Sequence, residues 1–498
     1  MRELVAQTLR INDVQSCTSL ASFISRVTND NPYFIRQQLM ALKDDGLLRF
    51  GSDGWIWNVD EIMEEINDDS TSGDVVAILS LKMKRLPSLT KEALKICACI
   101  GSRIDFYILG LCVREMESCD REDNETIIAK SAISEACNEG LLVVTKNEDG
   151  VVFTHDSVRE AAYTLLEPEE RAGFHLRLGQ ILHKHIWSHL YEDYLFTISA
   201  QLARGLSLIT DEEDRISTAH IFQKTGEKSL AANAFAEAHF FFAKGSSLLR
   251  DEDWGNHFRL CADIYLQQAD SAALTTDFRD MDNCLGALFD KCKDHSPVDY
   301  LNASYIKVRA LTARDDQAAV GIALEALSLV GETFPSQNLA KHTMLGFAQI
   351  YPRLKFKSKN FFFQLPPVTD KQMIATLRMC DELVNAAMGF NQELVPFLCF
   401  RMIKLSLKHG ISPSLPSGKC VSVFFVCTML LLTQTNAVFR SSCSTRPLWC
   451  LPCSLWISSR RGSYIWRNCF KSAESKTQRQ RKPCQPYSSY MGDYVHAE

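Results

Sequence analysis

The chain has 498 residues, of which 46% are hydrophobic and 23% charged, with a formal net charge of -6. That length and composition leave room for several globular domains with cores of their own, and the acidic total supplies no field to draw in nucleic acid. The longest apolar run, residues 421–432, falls short of the ~18–20 residues that a bilayer span needs and is interrupted by Ser422 and Thr428, so membrane insertion is not expected.

In chain order, Met1-Arg2-Glu3 opens a mixed polar stretch without the apolar core of a secretory signal, and a reduced, cytoplasmic setting follows as the expectation. Cysteines at 97, 99, 137, 261, 380 and 399 fall inside helix or strand patterns, where the thiol serves as a small apolar group. Asn31-Pro32 predicts a helix start, with Asn capping and Pro at the first helical position. Ile35, Leu39 and Leu42 continue it at helical spacing, and Gly46 stops it. Residues 47–50, the turn 51–54 and Trp55-Ile56-Trp57 then read as a hairpin. Leu94, Ala98 and Ile100 mark a further helix between Pro87 and Gly101.

The same order returns about a hundred residues on: a helix through Ile133 and Ala136 to Gly140, a strand at 141–144, a turn at 147–150 and a return strand at 151–153. Thr154, His155 or Asp156 caps the helix through Ala161 and Tyr163. A helix followed by a hairpin is how a winged-helix module ends. Residues 131–140 carry two glutamates and no Lys or Arg, whereas a DNA-reading helix needs basic residues. Packing against protein is the favoured reading; a winged-helix DNA-binding transcriptional regulator with a helical-repeat effector domain is the alternative.

From Glu170 onward amphipathic helices rich in Ala and Leu succeed one another. Phe222, Gly226, Ala238 and Phe242 occupy the aromatic, small, small and aromatic places of a tetratricopeptide repeat, and the run Phe240-Phe241-Phe242 is expected in the core. A degenerate repeat follows at Ala313, Ala323 and Ala326, closed by Gly331 and Pro335, with Trp254 and Tyr265 standing in for missing anchors. Residues 365–370 cap a further helix through Leu377, and Leu398, Met402 and Leu405 lead to Gly410. Stacked helix pairs of this kind hold extended peptides or other domains. His183, His185 and His189 are the one constellation with metal-ligand character, although His183 and His185 stand on different helix faces.

Asn31-Pro32-Tyr33-Phe34, Gly46-Leu47-Leu48, the Trp55/Trp57 hairpin, Arg85-Leu86-Pro87, Ala98-Cys99-Ile100-Gly101, the run from Phe153 to Tyr163 and His175-Leu176-Arg177-Leu178-Gly179 occur in that order. Across residues 25–415 this resembles the lid, winged-helix and helical sensor region of STAND-class (AAA-type) signal-transduction ATPases. Within that class it is nearest to the type fused to serine/threonine and hybrid histidine kinases. The resemblance implies nucleotide contacts in an intact parent: Pro32 beside the adenine, with Asp30 where Gly is usual, and His155 toward the phosphates, to which imidazolium can donate. ATP or ADP is the cofactor of the parent family, and the implied partners are other proteins or adjoining kinase and ATPase domains.

A phosphate cradle needs Gly-x-x-x-x-Gly-Lys-Ser/Thr. The one Gly-Lys pair, Gly418-Lys419, is followed by Cys420 and has Pro413 at the place of the first Gly. Kinase-loop, nucleophile-elbow and His-Glu-x-x-His motifs do not occur either. This chain is therefore expected to be a non-catalytic sensor and interaction region without a cofactor of its own.

The expected fold class is mainly α, winged-helix modules with short β-hairpins followed by a tetratricopeptide-like α-solenoid. Its segments are a lid-like helix-hairpin unit at 1–69, a winged-helix-like domain at 70–169, a helical scaffold at 170–415 and an irregular Cys-, Ser- and Arg-rich tail at 416–498. Residues 420–498 hold ten Lys and Arg against three Asp and Glu, and seven of the eighteen cysteines. Helical periodicity stops there, as in a mistranslated or disordered stretch. Cys450 and Cys453 form a lone C-x-x-C with no further ligand pair at zinc-site spacing.

Overall fold

The computed structural model describes residues 1–412, apart from 29, 45, 53, 69–74, 118–123, 187, 294, 313, 336, 355–364 and 411. The readings made for the tail, for Gly418-Lys419 and for Ala313 lie outside the described residues. The chain forms two compact units, residues 1–250 and residues from 251 onward. Both are mainly helical.

The first unit opens with α1 (Arg2–Leu9), α2 (Thr18–Thr28) and α3 (Pro32–Asp44), then β1 (Leu48–Gly51), β2 (Gly54–Trp57) and α4 (Val59–Asp68). Helix α3 starts at Pro32, which spends no donor at the first position, and the Asn31 carbonyl accepts the first helical bond from Ile35 N–H at 2.9 Å. Gly46, at φ +73°, turns the chain out of the helix. In the hairpin Leu48 faces Trp57 and Phe50 faces Trp55. Leu20, Ile24, Ile35, Leu39, Leu42, Leu48 and Ile62 close a separate small core, and Trp55 Nε1 donates to Leu9 O at 2.8 Å.

Helices α5 (Val75–Lys84) and α6 (Ser88–Ile100) lead to β3 (Arg103–Asp105), α7 (Phe106–Glu117), α8 (Glu125–Asn138), β4 (Leu142–Val144), β5 (Gly150–Phe153) and α9 (Asp156–Tyr163). Strand β5 lies between β3 and β4, antiparallel to both. The sequence pattern shows only the β4–β5 hairpin; β3 has three residues, too few for alternation to register. Its presence redefines Gly150. The left-handed turn residue is Glu148, at φ +55°, while a Cβ on Gly150 would lie 2.3 Å from Ile104 O of β3. Gly150 is needed for the close approach of the third strand.

Helices α10 (Pro168–His185), α11 (Ser188–Arg204), α12 (Glu212–Ala231) and α13 (Phe235–Ser247) complete this unit. Asp211 caps α12, accepting from Glu213 N–H. Phe222 and Phe242 are fully buried, and a Cβ on Gly226 would come within 2.5 Å of the Phe242 ring. The small residue thus sets how near α12 and α13 run, as the sequence pattern requires. One expectation fails: Phe241 and Phe242 are buried, but Phe240 is 47% exposed, with Lys244 Nζ over its ring at 5.3 Å. Three successive helical residues sweep about 200° around the axis, so a single core face cannot take all three.

The second unit contains α14 (Asp253–Asn256), α15 (Phe258–Leu274), α16 (Phe278–Cys292), α17 (Pro297–Leu311), α18 (Asp316–Leu329), α19 (Leu339–Leu354), α20 (Lys371–Phe390) and α21 (Leu394–His409). Trp254 and Tyr265 meet at 5.3 Å between ring centroids. Asp370 caps α20 through Gln372 N–H, and Gly410 ends α21 at φ +105°. Leu377, Leu383, Leu398, Met402 and Leu405 join Val320, Ala323 and Leu327 in one core.

Candidate functional site

The two residues singled out for nucleotide contacts stand at the starts of two helices that meet. Pro32 is exposed in the first turn of α3. One helical face of α3 (Ile35, Leu39, Leu42) fills the small N-terminal core, while Phe34, 7% exposed, turns away from it to His155. The Phe34 and His155 rings stand edge to face with centroids 4.9 Å apart, a favoured aromatic geometry. The first hairpin unit thus touches the start of α9 through His155 itself and through Phe34, a near neighbour of Pro32.

His155 is the cap of α9. Its Nδ1 accepts from Ser157 N–H at 3.1 Å, so that nitrogen carries no proton in this arrangement. Thr154 Oγ1 is occupied elsewhere, donating to the Gly140 and Leu141 carbonyls, each at 3.1 Å. Asp30 has φ +62°, and its Oδ1 accepts from Ser25 Oγ at 2.6 Å. The backbone at Asp30 adopts the left-handed conformation that Gly takes most readily, and Asp is among the few other residues that tolerate it.

The far end of α9 enters a buried polar chain that the sequence reading did not identify. Tyr163 Oη lies 3.0 Å from His175 Nε2, His175 Nδ1 lies 2.6 Å from Gln201 Oε1, and Gln201 Nε2 donates to Cys99 O at 2.8 Å. The carbonyl at one end can only accept, which fixes every proton along the chain. The Gln201 amide donates to Cys99, its oxygen accepts from His175 Nδ1–H, and His175 Nε2 accepts from the Tyr163 hydroxyl. His175 is 1% exposed and its pKa is pushed below the ordinary imidazole value, first by burial; the Gln201 bond opposes this, while Arg204 and Arg171 reinforce it. Four helices, α6, α9, α10 and α11, are joined in this way. Ser80 of α5 adds a bond to Thr164 Oγ1 at 2.7 Å, just past the end of α9. No sequence signal reveals this network, because Gln201 lies 38 residues from Tyr163 and differs from a surface glutamine only in burial.

His175 is 1% exposed, with both ring nitrogens engaged in this chain of bonds. A cavity of about 380 Å³ between β3, α7, α8 and the β4–β5 turn is lined by Asp105, Phe106, Tyr107, Thr126, Glu148 and Asp149, and Arg103 pairs with Asp149 at 2.7 Å and with Asp105 at 3.9 Å. The three imidazoles with metal-ligand character do not converge: His183 Nδ1 lies 2.8 Å from Tyr191 Oη, and His185 Nε2 lies 3.6 Å from Glu115 Oε2. Among the described residues no cluster of three or more His, Cys, Asp or Glu side chains could hold a metal ion, and no helix is long and apolar enough to cross a membrane.

No model of a known family matches the sequence. Among characterised proteins the chain is similar to hybrid signal transduction histidine kinase G of Dictyostelium discoideum, 23% identical over 405 residues. The similarity covers 68% of this chain and 11% of that protein, so the chain spans about a tenth of the length of the relative it matches. Among solved structures there is a likeness to a STAND protein with a tetratricopeptide repeat sensor from Pyrococcus horikoshii, with 13% identity and a TM-score of 0.24. It covers 82% of this chain and 56% of that one, and a score so low carries no weight for the fold.

Proposed function

We propose that this chain is a non-catalytic sensor and protein-docking region of a kinase-linked signalling ATPase. In this reading α6 to β5 form a winged-helix module and the helices from α10 onward form tetratricopeptide-like pairs. Residues 1–69 correspond to the lid that meets nucleotide in an intact parent through Pro32, and the winged-helix module adds His155. The order helix, strand, helix, helix, hairpin between residues 88 and 153 supports the winged-helix assignment, and the Gly226–Phe242 fit supports the repeat assignment.

The observation that carries the reading is the Phe34–His155 contact. It seats the lid-like segment on the cap of α9, and the other end of that helix is wired to α10 and α11. A movement of the lid segment would therefore reach the helical layer through one short strut. The DNA-binding alternative gains little from the exposed positions of α8, which are Ile127, Lys130, Ser131, Ser134 and Asn138 and include a single cation. Mixed with magnesium and ATP, the chain is expected to release no phosphate above a buffer blank and to leave the anisotropy of labelled duplex DNA unchanged at moderate salt. Turnover of ATP ends the non-catalytic reading; salt-sensitive duplex binding promotes the alternative.

A further inference from the structure

The second unit contains a guanidinium that its surroundings orient but do not neutralise. Arg378 of α20 is half-buried and lies over the ring of Tyr305 of α17, with Cζ 4.0 Å from the ring centroid. Tyr305 itself packs against the unit's core, which fixes the ring. One turn along α17, Arg309 approaches the same ring, its Cζ 5.8 Å from the centroid. The neighbouring cations are paired: Arg309 with Asp270 at 2.5 Å and Lys307 with Asp282 at 2.6 Å. Arg378 makes no ion pair and no hydrogen bond among the described residues. Of the acids one turn further along α20, Glu382 accepts from Asn385 Nδ2 at 3.2 Å, and neither it nor Asp381 pairs with Arg378.

We propose that Arg378, seated over the face of Tyr305, is a docking point for a side-chain carboxylate on an acidic segment of a partner protein. Stacking on an aromatic face occupies the plane of a guanidinium and leaves its N–H edge available, and that edge matches a carboxylate with two parallel hydrogen bonds. A partly desolvated cation without an acceptor is costly to keep, and an incoming carboxylate removes that cost. Orientation by Tyr305 also means that little rotamer freedom is lost on binding. The assignment rests on the reading of the chain as a docking region and adds the chemistry of the partner. It does not depend on any nucleotide role of Pro32 or His155.

Residues 420–498 carry ten Lys and Arg against three Asp and Glu and attract an acidic probe on their own, so the site is reported by the difference between the parent and its Arg378 variants. The full chain is titrated into a short fluorescein-labelled peptide of alternating Glu and Gly, with a Gln-Gly peptide as control. Saturable binding of the Glu peptide, absent for the Gln peptide, is expected. Arg378→Ala and Arg378→Lys should each weaken it at least tenfold, because Lys keeps the charge but not the planar fork, and Tyr305→Leu should weaken it comparably. Tyr305→Phe, which keeps the ring, should bind as the parent does, and circular dichroism checks that each variant is folded. Equal binding by the parent and Arg378→Ala overturns the site, as does failure of the parent to bind. Stronger binding of a phosphoserine-Gly peptide overturns the carboxylate assignment. None of these outcomes touches the ATP and DNA assays, so loss of this site leaves the general reading to be judged on its own.

Discussion

At the scale of single residues, Asp30 is informative because two expectations meet on it. The resemblance seen in the sequence implies Gly at this place, and the structure gives the position φ +62° with Asp in it. The left-handed conformation costs a residue with a Cβ about 1–2 kcal/mol, and Asp recovers part through its short polar side chain and Ser25. Asp30→Ala keeps the steric cost and loses the bond, whereas Asp30→Gly loses the bond and the cost together. In urea unfolding Asp30→Ala should therefore be less stable than Asp30→Gly by about 1 kcal/mol; the reverse order would contradict the backbone conformation. Tyr163 offers a second case. Tyr163→Phe leaves His175 Nε2 buried without its donor, which should cost about 1–3 kcal/mol. Combined with Gln201→Leu the losses should fall short of additive, since both substitutions break one chain. Simple addition would mean that the bonds act separately.

At the scale of elements, the starts and stops of helices and the two hairpins were legible, because their signals are local. Asn31-Pro32, Gly46, Gly140 and Gly410 act through backbone conformation within a residue or two. The cap of α9 was legible only as a choice among Thr154, His155 and Asp156; the turn of the Thr154 hydroxyl toward β4 leaves His155 to do it. Strand β3 was not legible, being too short to alternate and stabilised by pairing with a strand some fifty residues away. The α12–α13 pair supports a sharper expectation. Gly226→Ala drives a methyl into the Phe242 ring and should cost about 1–3 kcal/mol. Phe242→Leu in the same chain should recover part of that loss by making room, and calorimetric melting reads both. A Gly226→Ala protein as stable as the parent would show that the ring is free to move.

At the scale of the whole molecule, buried titratable groups set how stability follows pH. His175, which is buried, has a pKa lowered chiefly by burial; His183 is exposed at the surface, and its pKa is lowered by partial desolvation and then by Lys224. Below about pH 6.5 the unfolded chain takes up protons on these rings that the folded chain refuses. Their contribution is thus present at neutral pH and lost as pH falls through the folded values. Melting temperature should fall between pH 7 and pH 5, and less steeply in His175→Asn. At the alkaline end, burial pushes the thiols of Cys99, Cys284 and Cys292 up to about 12 and that of Cys261 up to about 11. The unfolded chain ionises these first, so stability should decline above about pH 9; at neutral pH iodoacetamide should label these four only after unfolding.

What the sequence alone determined is therefore what local forces write: a mainly helical chain, where many of its helices begin and end, two hairpins, and the glycine that lets α12 and α13 pack closely. What the tertiary structure decided is which surfaces face one another. Phe34 meeting His155, the proton order through His175, and an arginine on α20 left without an acid each join residues tens of positions apart. Burial and pairing at that range depend on how whole elements pack, and no window of sequence carries them.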